Sequence, residues 1–517
     1  MAPAAAGNEG TNKDHIVLIP FMAQGHIIPF LALALHLEQR RNCAVTLVNT
    51  PLNIAKLRRS IPPSSSVRLL EIPFRSSDHG LPPGTENTDS LPYDLILKFL
   101  ISSLRLEPTL SSLVADLAAG EAGFPPPICI VTDMFFSWCA DISHRYGIFH
   151  AVFNAGGGYG FACYYSLWLN LPHRRQNSVS DSGDAGEEKD SVFEEFTLPD
   201  FPEASTLHIT QLPPFLQSAD GSDPFSVFQR VVLSKWANAD AILVNTVEGF
   251  DGLGLDYFRR KLGKPVFPIG PVLLKNSPTK TDTGMTNSPE ICKNWLDSKP
   301  ARSVLFVSFG SQNTIAEAQM KELAVGLEAS GTNFIWVIRP PLGFDINSEF
   351  RDEDWLPEGF PERIEASGKG LLVRRWAPQV EILSHESVGG FLSHCGWNSV
   401  LESLSCGVPI LGWPLAAEQF YNSKVLEEEI GVSVEVGRGK EIVVRSGDLK
   451  DKIEMVMVGG AKGNEIRRRA SEIREMIKDA VNEDGEGKGS SVEAMDEFLN
   501  AAVVFRGRKI NGGKSEA

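Results

Sequence analysis

Short, continuously apolar runs of strand length recur along this chain, and most are followed by a segment with helical spacing. HIVLIP (15–20), AVTLVNT (44–50), VRLLEI (67–72), ICIVTD (128–133), FHAVFN (149–154) and AILVNT (241–246) occupy the first half. SVLFVSF (303–309), NFIWVIRP (333–340), GGFLSH (389–394) and VPILGW (408–413) occupy the second. Runs without polar alternation belong to strands covered on both faces, hence to parallel sheets between helix layers with right-handed crossovers. Between the two sets, residues 265–290 turn to Pro, Ser and Thr without an apolar period, as a linker does. The expectation is an α/β protein of two Rossmann-like domains facing a cleft, with ligands at the carboxyl ends of the strands. The division is a tail at 1–13, a first domain at 14–264, the linker at 265–290 and a second domain at 291–484. A closing helix at 485–505 and a tail at 506–517 follow. Arg174–Ser191, polar and aperiodic, reads as a mobile surface loop.

Composition narrows the partners. The 517 residues carry 49 basic against 65 acidic side chains, a formal charge of −16. That balance argues against nucleic acid or an anionic membrane. Seven cysteines form no C-x-x-C pair, which points to reduced thiols rather than a disulfide framework. The N-terminus lacks a secretory apolar core, and no run is long enough to span a bilayer. A cytoplasmic protein without integral membrane association is expected.

The densest chemistry lies in Trp376–Gln419, WAPQVEILSHESVGGFLSHCGWNSVLESLSCGVPILGWPLAAEQ. An aromatic face suits a base, a His with small polar residues at a helix start suits a diphosphate, and carboxylates or amides suit hydroxyls. His394, Asn398 and Ser399 could surround a diphosphate, with Glu402 one turn on for ribose hydroxyls; a capped helix with a solvated Glu fits the same spacing. Gly310–Ser311 offers an anion-binding turn or merely a strand exit. In the first half, His26 follows a strand at a helix start, where the macrodipole disfavours imidazolium and keeps the ring able to accept a proton. A local hydrogen bond is its plainer role. Asp133 ends a strand and could hold His26 by its far nitrogen, or cap the next helix, or both. Asp352-Glu353-Asp354 reads as solvated charge in a loop, and Gly485–Ser491 lacks phosphate-loop spacing. No Gly-x-Gly-x-x-Gly follows the first strand, against an NAD-linked oxidoreductase or epimerase, and no metal-ligand spacing is present.

The same stretch closely resembles the signature box of the plant secondary-product UDP-glycosyltransferases. WAPQ, H-x-x-V-G-G-F-x-x-H-C-G-W-N-S, E-S, G-V-P, W-P and the terminal E-Q fall at family spacing. Gly25-His26, Thr132-Asp133, Asn245-Thr246, KPVFPIGP (264–271), WLDSKP (295–300) and VSFGS (307–311) extend the resemblance over nearly the whole chain. It implies a GT-B fold, with acceptor bound mainly by the first domain and UDP-sugar by the second. By the resemblance, His26 is the general base of an inverting transfer and Asp133 orients it. Trp376 stacks on uracil, Ala377 and Gln379 border base and ribose, and Glu402 takes the ribose hydroxyls. His394, Asn398, Ser399 and Ser311 hold the diphosphate, and Trp397, Glu418 and Gln419 contact the sugar. The family carries Asp or Glu at the place of Glu418, and Gln419 is similar to the glucose-preferring members. UDP-glucose is thus the implied co-substrate, with no cofactor or metal, in a monomer. The implied acceptor is a small lipophilic molecule, flavonoid, phenolic or terpenoid, with walls at Phe21, Asn154, Gly156 and Leu81–Tyr93. An aromatic-rich set (Phe135, Phe136, Trp138, Tyr159, Phe161, Tyr164, Tyr165, Trp168) suits a flat acceptor but equally a packed core. Extension of an existing glycoside, another donor, or a silent sugar-nucleotide binder remain alternatives.

Overall fold

The computed structural model describes residues 13–120, 125–174, 194–274, 289–440, 443–484 and 487–512. The loop expected at Arg174–Ser191 lies outside them, apart from Arg174. The strands are β1 (His15–Ile19), β2 (Ala44–Asn49), β3 (Arg68–Glu71), β4 (Cys129–Asp133), β5 (Phe149–Asn154), β6 (Glu195–Phe196), β7 (Leu207–His208), β8 (Ala241–Val244) and β9 (Val266–Pro268). Beyond them come β10 (Val304–Ser308), β11 (Asn333–Ile338), β12 (Gly370–Arg374), β13 (Val388–Ser393), β14 (Ile410–Gly412) and β15 (Ser433–Glu435). The first sheet has the order β3-β2-β1-β4-β5-β8-β9 and the second β12-β11-β10-β13-β14-β15, both parallel throughout; β6 and β7 form a small antiparallel pair.

Each large sheet reverses its winding at its first strand. β1 is flanked by β2 and β4, and β10 by β11 and β13. These are topological switch points, where crossovers diverge and leave a crevice at the carboxyl edge. Register then decides what faces the crevice. Ile19 pairs with Thr132, so the chain leaves β1 beside Asp133. Ser308 pairs with Ser393, which brings the turn after β10 against His394.

The boundaries drawn from sequence need correction. Val266–Pro268, placed in the linker, is the edge strand of the first sheet, with Ile242 opposite Val266. Helix Pro289–Asp297 also starts inside that span. The closing helix runs Ser490–Gly512 rather than ending at 505. Its Phe498 packs on Phe149 and Phe267 of the first sheet, ring centroids 6.3 and 6.1 Å apart. Asp352–Trp355 is a single helical turn rather than a loop, and Asp352 pairs with Arg374 at 2.5 Å.

A continuous apolar core joins the domains. It runs from helix Gly158–Asn170 of the first into helices Trp397–Ser405 and Gln419–Glu428 of the second. A Cβ on Gly160 would lie 2.0 Å from Asn422 Oδ1, so a side chain there would displace the Asn422 amide at this helix contact. No helix among the described residues is long and apolar enough to cross a membrane.

Candidate active site in the interdomain cleft

Helix Gln24–Arg41 opens just after β1, and His26 lies in its first turn. The His26 Nδ1–H donates to Asp133 Oδ2 at 2.7 Å, while Asp133 Oδ1 accepts the Phe135 N–H at 3.1 Å. Asp133 therefore caps the following turn and orients His26 at once. It is fully buried, whereas His26 keeps 27% side-chain exposure into the cleft. Phe21 and Phe135 flank the imidazole, centroids 5.6 and 5.7 Å away. Burial pulls the His26 pKa down most strongly, but the charge and hydrogen bond of Asp133, with Glu418, outweigh it and hold it above 6.5. This corrects the expectation drawn from the helix start. A helix terminus contributes about 0.3–1 kcal/mol, against about 1.5–3 kcal/mol for a hydrogen bond to a charged group.

On the opposite wall, the chain turns sharply to present its groups. Arg375 (φ 70°), Cys395 (φ 62°) and Ala417 (φ 51°) adopt left-handed backbone without being glycine. They immediately precede Trp376, Gly396 and Glu418, in keeping with the clustering of such strain at ligand sites. Trp376 is half-buried at the exit of β12, its N–H bonded to the Arg374 carbonyl at 2.9 Å, and Ala377 is buried beside it. Gln379 Nε2 donates to Ser399 Oγ at 2.8 Å and to Glu402 Oε2 at 2.6 Å. Burial pushes the Glu402 carboxyl up to about 7, partly opposed by the Gln379 bond.

His394 is buried, its Nδ1 has no partner among the described residues, and burial pushes its pKa down to about 4, which favours the neutral ring. A Cβ on Gly310 (φ 78°) would come within 2.7 Å of that ring. Burial also raises the Glu418 pKa, against the pull of His26. Gln419 Oε1 accepts the N–H groups of Leu415 and Ala416 at 3.1 and 3.0 Å, so Nε2 is left to meet an oxygen.

Two of the residues also make contacts between the domains. The indole N–H of Trp397 donates to the Asn245 carbonyl at 2.7 Å, in the joint between domains. Asn398 Nδ2 reaches across to the Gly25 carbonyl at 3.1 Å, beside His26. All the candidates, with the exposed Ser311, still line one cleft of about 370 Å³. A larger groove of about 720 Å³, between Val247 and helix Ala461–Ala480, holds none of them. Chemistry, not volume, selects the cleft.

Known proteins resemble this chain over nearly its whole length. The family described as UDP-glucoronosyl and UDP-glucosyl transferase matches residues 272–471. UDP-glycosyltransferase 92A1 of Arabidopsis thaliana is 48% identical, over 95% of this chain and 97% of its own. The chain belongs to the plant UDP-glycosyltransferases. Crocetin glucosyltransferase 3 of Crocus sativus is 44% identical over 81% of this chain and 85% of its own. Among solved structures, Glycyrrhiza uralensis UGT73P12 complexed with glycyrrhetinic acid 3-O-monoglucuronide matches with a TM-score of 0.79 at 28% identity, covering 98% of both chains. Medicago truncatula UGT71G1 complexed with UDP-glucose matches with a TM-score of 0.75 at 25% identity, over 95% of this chain and 98% of that one. The fold is GT-B, and the enzyme is a glycosyltransferase with a UDP-sugar donor and a small-molecule acceptor.

The acceptor side of this UDP-glycosyltransferase is partly core. Tyr159, Tyr165 and Trp168 are buried; Tyr165 packs among Trp236, Tyr257 and Phe258. Phe161, Asn154 and Gly156 do line the cleft. Asn154 Oδ1 accepts the Gly156 N–H at 3.0 Å, and its buried Nδ2 has no partner among the described residues. The loop at 81–93 reaches the transferase's donor side, where Gln312 Nε2 donates to Thr88 Oγ1 at 2.5 Å. Gln312 and Arg339, both lining the cleft, escaped the sequence reading. Arg339 directly follows β11, and that strand-end position was the available signal.

Proposed function

We propose that this enzyme transfers glucose from UDP-glucose to a hydroxyl of a small lipophilic plant metabolite by single inverting displacement. The supporting observation is the 2.7 Å His26–Asp133 contact opening into the same cleft as Gln379, His394, Glu402 and Gln419. His26 Nε2 takes the acceptor proton as the acceptor oxygen bonds to the anomeric carbon, and the bond from that carbon to the diphosphate breaks on the opposite face. Asp133 stabilises the imidazolium that forms. Neutral His394, Ser399 and the turn at Ser311 receive the diphosphate, Glu402 the ribose and Trp376 the uracil; Gln419 Nε2 and Glu418 meet the sugar. Trp397 and Asn398 contribute through the domain joint they now occupy. The reading requires no metal and takes the enzyme to be a cytoplasmic monomer.

UDP-glucose as donor follows the ligand of the Medicago protein. The aromatic and apolar setting of His26 favours a flat or terpenoid acceptor. A second reading, extension of an existing glycoside, is favoured by the glycoside bound in the Glycyrrhiza protein. Incubating UDP-glucose with phenolic, triterpenoid and glycoside acceptors, with mass and NMR detection, tests both. Acceptor-dependent UDP release and a β-glucoside are expected, undiminished by a chelator. UDP release without any glycoside product, or an α-linked product, would overturn the mechanism.

A further inference from the structure

Arg339 follows β11 at the carboxyl edge of the second sheet, on the strand beside β10. Its Nη1 donates to the Ser311 carbonyl at 2.8 Å, and the residue lines the cleft with Ser308, Gly310 and Gln312. Its Nε is buried without a hydrogen-bond partner among the described residues. The contrast with Arg374, at the end of the neighbouring strand, is informative. Arg374 pairs with Asp352 at 2.5 Å, whereas no carboxylate among the described residues forms an ion pair with Arg339. A guanidinium stays ionised, and withdrawing an unpaired charge from water is costly. A cation kept in this way beside an anion-binding turn is matched by a charge that arrives with the ligand.

We propose that Arg339 is a positioning residue of the donor site, pinning the Gly310–Gln312 turn through the Ser311 carbonyl and directing its charge at the diphosphate of the nucleotide sugar. The inference rests on the UDP-sugar reading of the cleft. The turn has two neighbours that depend on its position. Gly310 packs against the His394 ring, and Gln312 holds Thr88 of the acceptor loop. Arg339 therefore acts on the donor phosphates and on the register between the two walls.

Calorimetric titration of wild type, Arg339→Gln and Arg339→Lys with UDP and with uridine tests this. Arg339→Gln is expected to weaken UDP about tenfold or more while leaving uridine unchanged, the scale of a lost charge-assisted contact. Arg339→Lys is expected to fall between, since it keeps the charge and loses the planar fork. Equal weakening of UDP and uridine would show a merely structural role, and unchanged UDP affinity would remove any role; either overturns the proposal. If the glutamine variant does not fold, the lysine variant decides, because an unaltered preference for UDP over uridine in it is equally fatal. Failure of the wild type to bind UDP at all would instead bring down the donor reading beneath the proposal, and the proposal with it.

Discussion

On the donor wall, Gln379 bridges Ser399 and Glu402, and Gln419 is clamped by two backbone N–H groups. On the acceptor wall, Asn154 is held only by its carbonyl end, and the rings around His26 offer shape without hydrogen bonds. The donor wall fixes the direction of most polar groups before a ligand arrives, which lowers the ordering cost of binding and restricts what fits. The acceptor wall fixes His26, through Asp133. On the proposed reading, the first wall would select the nucleotide, while the second would select its acceptor by shape around His26.

The largest expected effect breaks the acceptor wall at its one fixed point. His26→Ala should reduce transfer to an alcohol by at least about 10²–10⁴-fold while UDP affinity stays as in the wild type. Stopped-assay turnover beside a UDP titration checks it, and near-normal turnover would remove His26 as the base. Asp133→Asn tests the orienting carboxylate. Burial alone lowers the His26 pKa and Asp133 raises it, so losing the carboxylate charge should move the acid limb of the kcat/KM profile to lower pH. The rate should fall at every pH, because the imidazolium has lost its stabilising anion. A limb that moves upward contradicts the charge assignment.

A smaller effect probes the donor wall. With the Glu402 carboxyl pushed up to about 7, much of it is protonated in the unliganded enzyme near neutrality. If ribose hydroxyls donate to the ionised form, the affinity for UDP-glucose, which lacks the terminal phosphate ionisation of UDP in this range, should rise between about pH 6 and pH 8 and then level. The 2′-deoxy analogue should show a shallower rise. Glu402→Gln should abolish the slope and weaken UDP by about tenfold. A pH-independent UDP-glucose affinity in the wild type would say that ribose does not meet this carboxylate.

How far these parts could be read from residues alone depends on whether they are local. His26 and Asp133 stand at strand ends, where position alone raised them as candidates, whereas the roles in Trp376–Gln419 came mainly from the resemblance, since Gln379, Ser399, Glu402 and Gln419 lie on helices. β9 was missed because Pro265 and Pro268 punctuate its run; an edge strand tolerates proline, and edge position is not visible in a sequence. Trp397 and Asn398 line the cleft, and their donors also cross to Asn245 and Gly25. Those bonds exist only once two domains dock, and nothing in the local pattern encodes the docking. Arg339 looks like ordinary solvated charge until its lack of an acidic neighbour is seen in three dimensions.

The smallest expected effect sharpens the contrast between the walls. Asn154 follows Phe153, which pairs with Asp133, so its Nδ2 opens one residue beyond the catalytic carboxylate. Because Oδ1 is taken by the Gly156 N–H, Asn154→Ser keeps an oxygen able to take that N–H and removes the Nδ2 donor without adding a buried charge. If Nδ2 serves the acceptor, its KM should rise about three- to tenfold, with kcat and the KM for UDP-glucose nearly unchanged, the scale of one hydrogen bond. The rise should be largest for acceptors with a second oxygen near the reacting hydroxyl and vanish for those without one. A rise in the UDP-glucose KM instead would move Asn154 to the donor side, so that the prearranged wall extends across the sheet boundary and the acceptor is held by shape alone.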